Sequence, residues 1–222
     1  MKVLLKSLLS VSILFLIAVF ISGCVNLDQK TVLKTDGSGS MKIKYWTKSS
    51  NVTGDELSGF GFTEEKVKSN YTSSNTEPSA IVVKKNQTND SLSEVSLELK
   101  FKDINKLSEA KAFNKVKASW VQGKEGMDFK YILLNDSANA KNMGMNEYKL
   151  TYEFEFPGEI LNTNGNKDGQ VVKWNKTVAD LVKDVELTAT VKAGGKKCGL
   201  FGLELPVIFL LGMGLIYLKR KK

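Results

Sequence analysis

Apolar and polar residues alternate with period two through much of residues 25–193. The longest run is 147–156, where Tyr148, Leu150, Tyr152, Phe154 and Phe156 share one face and Glu147, Lys149, Thr151, Glu153 and Glu155 share the other. A strand with that pattern buries one face and leaves the other in water. Val95, Leu97, Leu99 and Phe101 repeat the pattern, as do Val185, Leu187, Ala189 and Val191. Met127, Phe129, Tyr131 and Leu133 do the same, following Val116, Ala118 and Trp120 across a turn at 122–126. Near the start, residues 30–34 and 41–46 flank Asp36-Gly37-Ser38-Gly39, a hairpin signal because glycine reaches positive φ without steric cost. Helical signals are fewer. Asp103 is placed to cap a helix that turns Ile104, Leu107, Ala110 and Phe113 inward. Shorter helices are expected at 64–70, after Thr63 and with Val67 inward, and at 177–183, with Val178, Leu181 and Val182. Strands wet on one face predict an α+β fold, a curved antiparallel sheet with a few short helices packed on one face.

Two segments break this pattern. Residues 1–23 open with Lys2 and Lys6, continue as an apolar run over 8–21, and end in small Ser22 and Gly23 ahead of Cys24, the layout of a signal peptide. Ile21-Ser22-Gly23-Cys24 resembles the bacterial lipobox. That resemblance implies cleavage before Cys24 and a diacylglyceryl group on its thiol, against the plainer reading of an uncleaved membrane helix. Residues 199–218 hold one charge, Glu204, and one proline, Pro206, and Lys219, Arg220, Lys221 and Lys222 follow at once. A helix of about 20 apolar residues spans a bilayer, and the basic cluster marks its cytoplasmic end. The expected order is therefore signal peptide 1–23, extracytoplasmic domain 24–193, linker 194–198 and transmembrane helix with basic end 199–222. Ala193-Gly194-Gly195, then Cys198, an apolar stretch and basic residues also resemble bacterial C-terminal sorting signals, which a membrane protease removes. A retained anchor and a cleaved tail both remain open.

Composition changes the picture in three places. The net charge of +8 comes largely from Lys2, Lys6 and residues 219–222, so the middle of the chain is nearly neutral. Arg220 is the sole arginine, and no nucleic-acid partner is expected. The chain has no histidine, which excludes Ser-His-Asp and Cys-His catalysis and His-ligated metals. Its two cysteines, Cys24 and Cys198, build neither a disulfide framework nor a cysteine zinc site. Glu153 and Glu155 share a face, but the wet one. Asp36 and Asp103 read as turn and cap residues, and Asn86, Asp90 and Glu94 lack the spacing of a calcium loop. No enzymatic activity, catalytic residue, metal or cofactor is expected.

One family resemblance emerges from the motifs. Thr31-Val32-Leu33-Lys34-Thr35-Asp36-Gly37-Ser38-Gly39 follows the lipobox, and Tyr152-Glu153-Phe154-Glu155-Phe156-Pro157-Gly158 leads to Asn164-Gly165, Val171-Val172-Lys173-Trp174 and Leu187-Thr188-Ala189. Together they resemble the bacterial LppM-type lipoprotein domain across most of 25–193, with 49–77 as an insertion lacking a counterpart. The resemblance implies a domain held at the extracytoplasmic face of the cell membrane by Cys24 and the C-terminal helix. A mycobacterial member is associated with lipid or glycolipid, so it also implies such a ligand. An apolar pocket under a curved sheet would be lined by Phe129, Tyr131, Tyr148, Tyr152, Phe154, Phe156 and Trp174. The same residues would serve equally as a filled core against the helix after Asp103. Two functions follow: a non-catalytic module binding a lipid or amphiphile of the envelope, or a structural or protein-interaction module without a small-molecule ligand, its tail a cleaved sorting signal. Cys24→Ala should abolish incorporation of labelled palmitate. Mass spectrometry of the mature chain should find residues 199–222 still attached; a C-terminus near Cys198 excludes the retained anchor.

Overall fold

The alternating runs pair into two sheets whose apolar faces meet. A computed structural model describes residues 25–85, 92–136 and 147–192, all within one unit that ends at Lys192. The expected signal peptide, Cys24, the linker and the C-terminal segment lie outside the described residues. In chain order the elements are β1 (Asn26–Leu33), β2 (Gly39–Lys48), β3 (Glu56–Leu57), β4 (Phe60–Gly61), α1 (Glu64–Tyr71), β5 (Thr76–Lys84), β6 (Leu92–Phe101), β7 (Val116–Gln122), β8 (Gly126–Leu133), β9 (Lys149–Glu155), β10 (Ile160–Thr163), β11 (Asn166–Asp168), β12 (Val171–Thr177) and β13 (Val185–Lys192). The larger sheet runs β11-β12-β9-β1-β2-β6-β5, the smaller β10-β13-β8-β7, and β3 and β4 form a separate hairpin. Neighbouring strands are antiparallel except β1 and β9, which run parallel.

Register sorts the inward residues into rows that cross each sheet. On the larger sheet the rows are Tyr45–Leu27–Leu150, then Ile43–Gln29–Tyr152, then Met41–Thr31–Phe154. On the smaller sheet they are Val116–Leu133–Val185, then Ala118–Tyr131–Leu187, then Trp120–Phe129–Ala189. The third rows interlock. The Phe129 ring lies 4.7 Å from Phe154 and 5.0 Å from Phe156, centroid to centroid, and Trp174 leans in at 6.0 Å from Phe154. Trp120 stacks on Phe156 at 6.1 Å, and its indole N–H donates to Thr35 O. Rings at these separations add to the gain from burial, which is about 1.5–3 kcal/mol per large apolar side chain. The β1–β2 turn closes one end of the sheet. Gly37 takes φ +84° there, and the Asp36 carboxylate accepts hydrogen bonds from the Ser38 N–H and hydroxyl. Gly39 follows because a Cβ would meet Val32 O at 2.1 Å and the Phe101 ring at 2.6 Å.

The fold is largely sheet with few helices, as the alternation predicts, but the inner face of the larger sheet meets a second sheet as well as helical turns. The helix expected after Asp103 is instead two 3-10 segments, Ile104–Glu109 and Lys111–Phe113, with Lys106 leaving helical geometry inside the first. Ile104, Leu107, Ala110 and Phe113 recur every third residue, which suits three residues per turn better than 3.6. All four are buried as expected, and Asp103 accepts from the Asn105 N–H as the cap. Outside contacts fix the tighter form: Ile104 N–H donates to Gly37 O, and Asn105 Oδ1 accepts from Trp120 N–H. α1 forms where expected, capped by Thr63 with Val67 inward, and the segment after Thr177 is a 3-10 turn, Val178–Val182. Phe154→Ala should lower stability by about 3–5 kcal/mol in chemical denaturation. Glu153→Ala, one residue away on the wet face where Glu153 pairs with Lys30 at 3.4 Å, should cost at most about 1 kcal/mol.

Candidate functional site: a cavity between the sheets

The aromatic rings fill only part of the space between the sheets. At the end where β1 begins, the first two rows enclose a cavity of about 390 Å³ that opens to solvent. The cause is side-chain size. Phe129 and Trp120 bridge the gap in the third row, whereas the first two rows of the smaller sheet offer Val116, Ala118, Leu133, Val185 and Leu187, with Tyr131 as the one ring. Leu27 and Leu150 from the larger sheet and Val116 and Leu133 from the smaller form apolar walls, with Val25 and Phe113 beside them.

The floor is polar. Gln29 and Thr31 occupy inward positions of β1 and are 3% and 2% exposed. Gln29 Nε2 donates to Thr31 Oγ1 at 3.1 Å, and the Tyr131 hydroxyl donates to Gln29 Oε1 at 3.4 Å. Tyr71, from the last turn of α1, and Tyr152, beside Gln29 in the sheet, complete the floor with Ile43. Burial raises the pKa of Tyr131, opposed in part by its bond to Gln29. Burial also raises Tyr71 and Tyr152 well above the usual phenol value, and neighbouring phenols add to it. All three stay neutral near pH 7, as hydrogen-bonding groups without charge.

The rim is charged and internally paired. The β3–β4 hairpin forms one side of it through a two-residue turn in which Ser58 and Gly59 both take positive φ, 50° and 89°. That is the turn geometry whose twist suits a tight hairpin. Glu56 at its base meets Lys66 Nζ at 2.8 Å and Lys111 Nζ at 3.1 Å. The Tyr45 hydroxyl donates to Gly61 O, and Asn70 Nδ2 donates to Gly59 O. Across the opening Lys115 pairs with Asp136 at 2.8 Å. The Lys66 hydrogen bond, outweighing some desolvation and aided by Lys111, holds the Glu56 carboxyl below its ordinary 4.5.

The seven aromatic residues expected around a pocket divide. Tyr131 and Tyr152 line the cavity. Phe129, Phe154, Phe156 and Trp174 are packed core, 0–2% exposed, with the Trp174 indole N–H donating to Asn164 Oδ1. Tyr148 is half-buried and outside the cavity, its carbonyl accepting from Val178 N–H. Cys24 and the preceding Ile21, Ser22 and Gly23 lie outside the described residues. Sequence reasoning missed Gln29 and Tyr71. Gln29 carried a usable signal, a polar residue in the inward phase of a strand between Leu27 and Leu33; Tyr71, at the end of a polar helix, carried none. Among the described residues no group of His, Cys, Asp or Glu could hold a metal, and no helix is long and apolar enough to cross a membrane.

Fold and cavity together define a two-sheet β domain with an internal, polar-floored cavity. The chain belongs to the LppM domain family, whose model matches residues 50–193. The match takes in every element from β3 to β13, including the stretch read as an insertion, and leaves out β1 and β2. The chain is also similar to the NMR structure of the folded domain of LppM from Mycobacterium tuberculosis, at 14% identity over 79% of this chain and 94% of that one, with a TM-score of 0.44. No curated protein matches it.

The Glu56 ion pairs give the rim a pH signature. Its folded pKa lies below 4.5, so its contribution is complete above that pH and is lost as pH falls through the depressed value. The wild-type advantage in melting temperature over Glu56→Gln should be small, constant above about pH 5 and shrinking as the pH falls further below that.

Proposed function

We propose that this domain is a non-catalytic binding module for a single-chain lipid or amphiphile of the cell envelope. A diacylglyceryl group on Cys24 and the C-terminal helix hold it at the extracytoplasmic face of a membrane. The cavity carries this reading. Its volume of about 390 Å³ is at the lower end of the range for ligand pockets, about 300–1,000 Å³, and suits one alkyl chain. The walls of Leu27, Leu133, Leu150 and Val116 suit such a chain, and each buried CH₂ contributes about 0.8 kcal/mol. Membership of a lipoprotein-type family agrees with the lipobox reading. Val25 lines the cavity and directly follows Cys24. A lipid tether on residue 24 therefore brings the opening next to the membrane surface, where such ligands reside.

The test is photolabelling of the full-length chain in its own membrane with a photoreactive monoacylglycerol, the crosslinked peptides mapped by mass spectrometry. Labels should fall on Leu27, Leu133 and Leu150, and Leu133→Trp, which fills the space, should cut labelling about tenfold or more. Labels scattered over the surface and unchanged by Leu133→Trp would defeat the binding reading and favour the protein-interaction module.

A further inference from the structure

Two buried hydroxyls on the cavity floor lack partners. Tyr71 and Tyr152 are 4% and 5% exposed, both line the cavity, and among the described residues neither side-chain oxygen has a hydrogen bond. Neither oxygen is sealed off by protein. The two other deeply buried tyrosines differ: Tyr45 donates to Gly61 O and Tyr131 to Gln29 Oε1. A buried phenol ordinarily finds a partner, so Tyr71 and Tyr152 present two free groups to whatever fills the space above them. Water can serve them while the cavity is wet. Once an apolar chain displaces that water, the ligand itself must serve them or binding weakens.

Charge narrows the ligand. The floor residues Gln29, Ile43, Tyr71, Tyr131 and Tyr152 include no cation and no carboxylate. The charged lining residues stand at the rim and are paired, Lys111 with Glu56 at 3.1 Å and Lys115 with Asp136 at 2.8 Å. A phosphate, carboxylate or ammonium on the floor would be buried without a counter-charge, which is strongly unfavourable. A hydroxyl or ester group can both meet the phenols and shed its water cheaply.

We infer that the cavity selects its ligand by an uncharged, hydrogen-bonding end group held inward by Tyr71 and Tyr152, with the alkyl chain running outward along Leu27, Leu133 and Leu150. This rests on the cavity being a ligand site, and it reverses the usual expectation that a lipid enters tail first. The ligand class is a single-chain neutral amphiphile, a fatty alcohol or a monoacylated ester.

The experiment uses the full-length chain in lipid nanodiscs and three photoreactive probes of equal length: dodecanol, dodecyl phosphate and dodecane. Half-maximal labelling of the wall peptides is measured for each. Dodecanol should half-saturate at a concentration at least about tenfold lower than the other two. In Tyr71→Phe/Tyr152→Phe that advantage over dodecane should disappear while dodecane itself is unchanged. The double variant should melt no lower than the wild type, because the lost hydroxyls have no protein partner. Equal labelling by dodecanol and dodecane in the wild type overturns the head-group selection and leaves the binding reading standing. So does tightest labelling by the phosphate, or an advantage that survives in the double variant. Labelling of the wall by none of the probes overturns both. The wild-type comparison decides the matter even if the double variant fails to fold.

Discussion

The rest of the structure depends on how Phe129 packs against Phe154 and Phe156. This contact, reinforced by Trp120 and Trp174, sets the distance between the two sheets at one end. Strands are stiff enough to carry that spacing along their length, so the sheets stay apart where the rings stop and aliphatic side chains take over. Interiors normally close such gaps, because unfilled space forfeits dispersion contacts. Here the gap persists because Val116 and Leu133 are too short to span a separation imposed by the larger residues of the other rows.

The boundary between the filled and open halves is chemically marked. Gln29 and Thr31 are successive inward residues of β1 and Gln29 donates to Thr31, so the polar pair lies where packing gives way to open space. Buried amides and hydroxyls of this kind are tolerable only when satisfied. Gln29 donates to Thr31 and accepts from Tyr131, which anchors the floor to both sheets. The rim follows a different rule. Its lysines and carboxylates are partly exposed and paired, so they define the opening with little effect on stability.

Much of the architecture was legible in the sequence. Alternation identified the buried faces of β6, β8, β9 and β13 residue by residue, and Asp36, Thr63 and Asp103 held the turn and cap roles their neighbours suggested. What alternation cannot encode is the partner of a buried face. The same pattern in β9 fits a helix layer or a second sheet, and only long-range register decides that Phe154 meets Phe129 in the packed core while Tyr152 meets Tyr131 at the cavity. The aromatic residues therefore read as one surface when they are two. The segment after Asp103 shows the complementary limit: its inward residues were plain, but whether the turn tightens depends on Gly37 and Trp120, which are remote in sequence.

The parallel ladder between β1 and β9 joins Leu27 to Leu150 and Gln29 to Tyr152. It is the sole seam between an early half of the larger sheet, made of β1, β2, β5 and β6, and a late half made of β9, β11 and β12. Contacts between such distant parts of a chain form slowly, because the entropy of closing a long loop is lost before the ladder compensates for it. The polar floor straddles that seam, with Gln29 on one side and Tyr152 on the other. Docking of β9 is thus a late step for the sheet and for the cavity alike, and a chain stalled before it has a near-complete antiparallel half-sheet that carries Gln29 and Ile43 but lacks Tyr152 and the Leu150 wall.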